Sequence, residues 1–97
     1  MSYFFHPIAR KEHLHNVTYY ESKQNGLGAR YLIEFETAMK AVCEAPHRYA
    51  VEIQPNIRRI RLDKFPFTIL YRENKKHVEI LAVAHHRLKP GYWVGRL

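Results

Sequence analysis

The chain has 97 residues, 46% of them apolar, and a formal net charge of +7. That length suits one domain spanning residues 1–97 and leaves no room for a second core. No stretch approaches the roughly eighteen consecutive apolar residues of a membrane span, and the opening MSYFFHPIARKEH is charged too early for a secretory signal, so a cytoplasmic protein with no membrane partner is expected.

Residues 3–6 (Tyr-Phe-Phe-His) read as a short strand stopped by Pro7, which also suits the first turn of a following helix. From Ile8 to about Lys23 the pattern is helical, with Ala9, Leu14, Val17 and Tyr20 as the apolar positions. Asn25-Gly26 and then Gly28 read as breakers. A second helix is expected from about Ala29 to Glu44, with Leu32, Phe35, Met39 and Val42 on its apolar face, backed by Tyr31 and Ala38. Ala45-Pro46 ends it. Two amphipathic helices joined this tightly predict an antiparallel hairpin.

After a loop through Pro55 the period changes from helical to strand-like. In Arg58-Arg59-Ile60-Arg61-Leu62 the alternation puts Ile60 and Leu62 on one face and Arg59 and Arg61 on the other. A second strand follows over 65–71, with Pro66 near its start. Glu73-Asn74-Lys75 makes the next turn, and His77 to Ala84 reads as a central strand buried on both faces. Short polar turns make these three strands an antiparallel meander. The expected architecture is α+β, ordered β-α-α-β-β-β: an antiparallel sheet with a helical hairpin on one face and a polar, aromatic, basic tail from His85 to Leu97.

Cys43 is the only cysteine, so an internal disulfide and a paired-thiol metal site are excluded, and it reads as a packing residue. The histidines are scattered, and neither His13/His15 nor His85/His86 has the i, i+4 spacing of a helical metal pair. No metal or other cofactor is expected. The basic excess is concentrated: Arg58, Arg59, Arg61, Lys64, Arg72, Lys75 and Lys76 lie close together, and the tail adds Arg87, Lys89 and Arg96. Most of the acid sits on the helices. A one-sided basic surface implies an anionic partner such as nucleic acid, a ribosome or an acidic protein segment.

At His6-Pro7-Ile8-Ala9, Tyr19-Tyr20 and Gly26-Leu27-Gly28 the sequence begins to resemble the RelE/ParE superfamily of toxins from type II toxin–antitoxin systems, which includes the ParE-like plasmid stabilisation proteins. The resemblance continues through Ile57-Arg58-Arg59, Phe65-Pro66-Phe67 with Ile69 and Tyr71, and Ala82-Val83-Ala84-His85. It closes on Arg87, Pro90, Tyr92-Trp93 and Arg96, and so covers essentially the whole chain. It implies a cognate antitoxin as partner and one of two activities. RelE-like members cleave messenger RNA on the ribosome; ParE-like members poison DNA gyrase without cleaving RNA.

The site must choose between them. Cleavage by the neighbouring 2′-hydroxyl needs a proton acceptor, cations at the phosphorane and an acid for the leaving oxygen. By resemblance, Arg59, Arg61 and Tyr92 occupy cluster positions, but Thr68 stands where RelE-like sequences place an arginine. His86 and Arg87 complete the nuclease candidate set. Adjacent strand residues face opposite ways, so one of His85 and His86 reaches the open side and the other serves the turn. Phe65-Pro66-Phe67 and the tail look more ParE-like. Arg58, Arg59, Arg61, Arg87, Tyr92, Trp93 and Arg96 form the candidate surface for target or antitoxin, because tyrosine, tryptophan and arginine dominate interface hot spots. Trp93 could equally fold back to cap the core. Tyr19, Tyr20 and Tyr31 read as helix packing rather than a base-stacking platform.

A gyrase-binding toxin without chemistry of its own is the leading expectation, with an acidic antitoxin segment covering Arg59 or Arg61. A ribosome-dependent endoribonuclease is the alternative, and a non-toxic interaction module the third.

Overall fold

A computed structural model describes residues 1–97. Its elements are β1 (Ser2–Phe5), α1 (Pro7–Lys23), α2 (Leu27–Glu44), β2 (Val51–Ile53), β3 (Ile57–Arg61), β4 (Phe67–Asn74) and β5 (His77–His85). Single 3-10 turns lie at Pro46–Arg48 and Val94–Arg96. All five strands form one sheet in the order β1-β5-β4-β3-β2.

The expected α+β architecture is present, with two differences in the sheet. β3, β4 and β5 form the antiparallel meander, but β1 pairs with β5 in parallel, so the sheet is mixed. An even number of chain reversals separates those two strands, which leaves them pointing the same way. The other difference is β2, which lies within the expected loop. Val51 and Ile53 alternate around Glu52 over a span too short to show a period, and their pairing with β3 is irregular.

Chemistry at the end of β1 leaves part of β5 uncovered. The last backbone contact is His6 N–H to the Ile80 carbonyl at 2.8 Å. Pro7 follows with a φ suited to a helix start, and the His6 carbonyl accepts the Arg10 N–H at 2.9 Å, which commits the chain to α1. The His6 ring then accepts the Ile8 N–H at 3.1 Å and caps α1. β5 continues to His85 with β4 on one side and no strand on the side that β1 has left.

The helical hairpin packs on one face of the sheet around Tyr31, Phe35, Met39 and Val42 of α2, all fully buried. Leu32, expected at the centre of this stripe, lies at its half-buried margin. The α1 stripe differs more. Leu14 is 46% exposed, whereas Ala9, His13 and Asn16 are buried and Tyr20 packs beside them. The inward positions 9, 13, 16 and 20 have good helical spacing, but two carry polar side chains. Those side chains are satisfied inside the core: Asn16 Nδ2 donates to the Tyr31 hydroxyl at 3.1 Å, and His13 Nδ1 lies 3.1 Å from the same oxygen. Burial lowers the His13 pKa and favours the neutral ring, which packs between Phe5 and Phe35.

A second, smaller core occupies the opposite face, where Ile57, Leu70, Leu81 and Ala82 meet Trp93. Leu81 enters it through a bulge that shifts the β4–β5 register between Leu70 and Tyr71.

Gly26 makes the turn between the helices at φ +86°. Gly28 is not a breaker; it is a buried residue in the first turn of α2. A Cβ there would come within 2.8 Å of the Val17 carbonyl oxygen and 3.0 Å of Glu21, so its role is close helix approach. Gly28→Ala is therefore expected to destabilise the protein by about 2 kcal/mol, although alanine is the better helix former. Urea unfolding measures this, and an unchanged or raised midpoint would contradict such tight helix packing.

Candidate functional site

Strand alternation sorts the arginines. Ile60 and Leu62 pack towards the helices, while Arg59 and Arg61 are exposed on the opposite face. Across the ladder Arg59 pairs with Leu70 and Arg61 with Thr68, which in turn pair with Ala82 and Ala84. The small and apolar neighbours leave the guanidinium groups standing above the sheet. Arg59 Nη1 donates to the Val51 carbonyl at 3.0 Å and to Glu52 at 3.2 Å. Arg61 has no hydrogen-bond or ion-pair partner. Arg58 faces the other way and donates to the Tyr49 carbonyl at 2.7 Å, in a hollow with Tyr71, so it stands apart from the other two.

The paired histidines divide between the faces. His85 packs edge-on against Phe67, with ring centroids 5.1 Å apart, and its Nδ1 accepts the Arg87 N–H at 3.0 Å. His86 reaches the open face, where its Nε2 lies 3.1 Å from Thr68 Oγ1. Partial burial, then the nearby Arg61 charge, lower the His86 pKa and favour its neutral form. A cleft of about 250 Å³ gathers Arg59, Arg61, Thr68, His86, Lys89 and Tyr92 on this face. Arg87 lies elsewhere, along a groove beside α1.

One side of this cleft is the tail, and the tail is held by Glu12. Glu12 Oε2 accepts the Tyr92 hydroxyl at 2.6 Å and Arg96 Nη2 at 2.9 Å; Oε1 accepts Arg96 Nη1 at 2.9 Å and the Val83 N–H at 3.0 Å. Arg96 Nη1 also donates to the Leu81 carbonyl at 3.0 Å. The ion-pair side chains are only 20% and 10% exposed. Burial alone would raise the Glu12 pKa, but the bonds from Arg96, Tyr92 and Val83 outweigh it and hold the carboxyl below its ordinary value. Burial, with donation to Glu12, pushes the Tyr92 phenol well above its ordinary range.

The tail residues proposed from sequence as a contact patch thus face inwards. Trp93 is 3% exposed and covers Leu81 and Ala82, and Arg96 is committed to Glu12. Sequence reasoning missed Glu12 itself. Its only signal is its position beside the inward stripe of α1, and its partners lie 71 to 84 residues away. No group of three His, Cys, Asp or Glu side chains is placed to hold a metal ion. No helix is long and apolar enough to cross a membrane.

Residues 3–90 match the family described as ParE toxin of type II toxin-antitoxin system, parDE. The chain belongs to the ParE toxin family. No curated protein matches it. Among solved structures, a chain described as the chromosomal ParDE TA system from P. aeruginosa superposes with a TM-score of 0.70 at 19% identity. That superposition covers 88% of this chain and 95% of the other. Membership of a ParDE toxin family carries with it an antitoxin as partner.

Two outcomes follow for this ParE-family site. Arg96→Ala leaves a mostly buried carboxylate uncompensated and is expected to cost about 3 kcal/mol at neutral pH. Because the folded Glu12 pKa is depressed, the stabilisation is present above the unfolded carboxyl pKa and is lost as pH falls through the folded one. The gap between wild type and variant should therefore narrow in acid, as read by chemical unfolding at several pH values; a gap that widened would contradict the pairing. Arg61→Ala is expected to raise the His86 pKa in an NMR titration, and an unchanged value would separate the two side chains.

Proposed function

We propose that the chain is a toxin that inhibits DNA gyrase by binding it, and that its antitoxin covers Arg59 or Arg61 with an acidic segment. The observation that carries this reading is the state of Tyr92. RNA cleavage needs an acid to protonate the leaving 5′-oxygen. The Tyr92 proton is already donated to Glu12, and its pKa is raised. Arginine rarely gives up its proton, so Arg59 and Arg61 supply charge rather than proton transfer. What remains is a cationic, shape-defined face of Arg59, Arg61 and Lys89, rigidly backed by Trp93, which suits contact with an anionic surface.

One observation favours the alternative, a ribosome-dependent endoribonuclease. His86 is held towards its neutral form in the same cleft as Arg59 and Arg61, where it could accept a 2′-hydroxyl proton. A supercoiling assay with purified protein separates the two readings. The gyrase reading expects loss of supercoiling or trapped cleaved DNA, weakened at least tenfold by Arg59→Glu with Arg61→Glu. Unaltered supercoiling at levels that stop growth, with codon-phased cuts in primer extension on messenger RNA, would replace it with the nuclease.

A further inference from the structure

We propose that the outer edge of β1 pairs antiparallel with the same edge of a second copy of this chain, joining two five-stranded sheets across a two-fold axis at Phe4. This contact is independent of the target that the chain inhibits.

The ladder decides which backbone groups are free. In the parallel pairing of β1 with β5, the His6 N–H donates to the Ile80 carbonyl, and Phe4 turns its N–H and C=O the same way, towards β5. Alternation then turns the N–H and C=O of Tyr3 and Phe5 outwards. β1 is the last strand on that side, and no loop bonds these groups. The remaining edges are guarded. β2 is three residues long, irregularly paired and charged at Glu52. Past the end of β1, Val83 N–H and Leu81 C=O are taken by Glu12 and Arg96. β1 has no such protection: its sequence SYFF holds no charge and no proline, and its register is unbroken.

Self-pairing fits this edge in one register. In an antiparallel ladder two facing residues exchange both bonds, and the pair between two such pairs brings its side chains closest. With Tyr3 opposite Phe5 of the partner subunit, and the reverse, every outward group of Tyr3 and Phe5 is used. Phe4, 43% exposed on the open face, then meets Phe4 of the partner subunit in the close central pair. A shift of two residues one way sets Tyr3 against the partner's Pro7, which has no N–H and belongs to α1. The same shift the other way sets Phe4 against the partner's Ser2 and separates the aromatic pair.

Charge favours a second copy over an acidic antitoxin segment. A hollow of about 440 Å³ runs beside β1, and α2 lines it with Glu36, Lys40 and Glu44. Two carboxylates against one cation repel an acidic strand. Lys40 and Glu44 take part in none of the protein's ion pairs. A two-fold axis offers each Lys40 the carboxylates of the other copy, as a self-complementary surface requires.

Sedimentation of the full chain over a dilution series tests this. The chain alone is expected to dimerise reversibly. Phe4→Lys should weaken the dimer at least tenfold, while Ile33→Lys, at a position 66% exposed on α2, should not; circular dichroism confirms that both variants fold. In the unaltered protein, amide exchange followed by NMR should slow at least tenfold at Tyr3 and Phe5 from dilute to concentrated solution, with the Phe4 amide unaffected. A chain that stays monomeric at millimolar concentration would overturn the proposal. So would a dimer whose Tyr3 and Phe5 exchange ignores concentration, since another surface would then hold it. Protection of those two amides only when the antitoxin is bound would give the edge to the antitoxin instead.

Discussion

A single buried carboxylate holds the functional half of this molecule together. Glu12 projects from the first helix past the end of the first strand and collects the Val83 N–H, the Tyr92 hydroxyl and both terminal nitrogens of Arg96. Charge-assisted bonds of this kind are roughly twice as strong as neutral ones. They are needed, because the tail contributes only a 3-10 turn of regular structure and one buried large apolar side chain, Trp93. With Arg96 anchored, Trp93 lies over Leu81 and Ala82 and closes the second core, and Lys89 and Tyr92 become a wall of the basic cleft. The same carboxylate blocks one donor at the β5 edge and so shapes what can pair there.

The sheet is asymmetric by design of its alternation. One face is sealed by thirteen buried residues centred on the helical hairpin, the other by only five. The weaker face carries Arg59 and Arg61, with Glu52 as the single acidic neighbour of Arg59 and none for Arg61. Uncompensated like charges on a sheet cost stability and gain nothing in packing. A domain of this size has little margin to give away, so the arrangement is better explained by what it contacts than by what it stabilises.

Much of this was legible in sequence wherever period and chemistry agreed. The α2 stripe, the β3 alternation and the apolar β5 run all sit where apolar spacing puts them, and opposite-facing His85 and His86 follow from strand geometry alone. The α1 stripe was misread because His13 and Asn16 look like surface residues. They are inside because Tyr31, on another helix, offers them a hydroxyl. Gly28 looked like punctuation but serves helix contact with Val17 and Glu21. β2 was too short to show a period. The fate of the tail was beyond any local pattern: Tyr92, Trp93 and Arg96 have the composition of an exposed hot spot, and only a carboxylate some eighty residues earlier turns them inwards.

Trp93 is the only tryptophan in the chain, so its fluorescence reports directly on whether Glu12 holds the tail against the sheet. The native protein should show blue-shifted emission that acrylamide quenches poorly. Glu12→Gln should shift that emission to the red and open it to quencher while far-UV circular dichroism stays native. Emission already characteristic of water in the native protein, or a folded Glu12→Gln variant whose Trp93 remains shielded, would contradict the account.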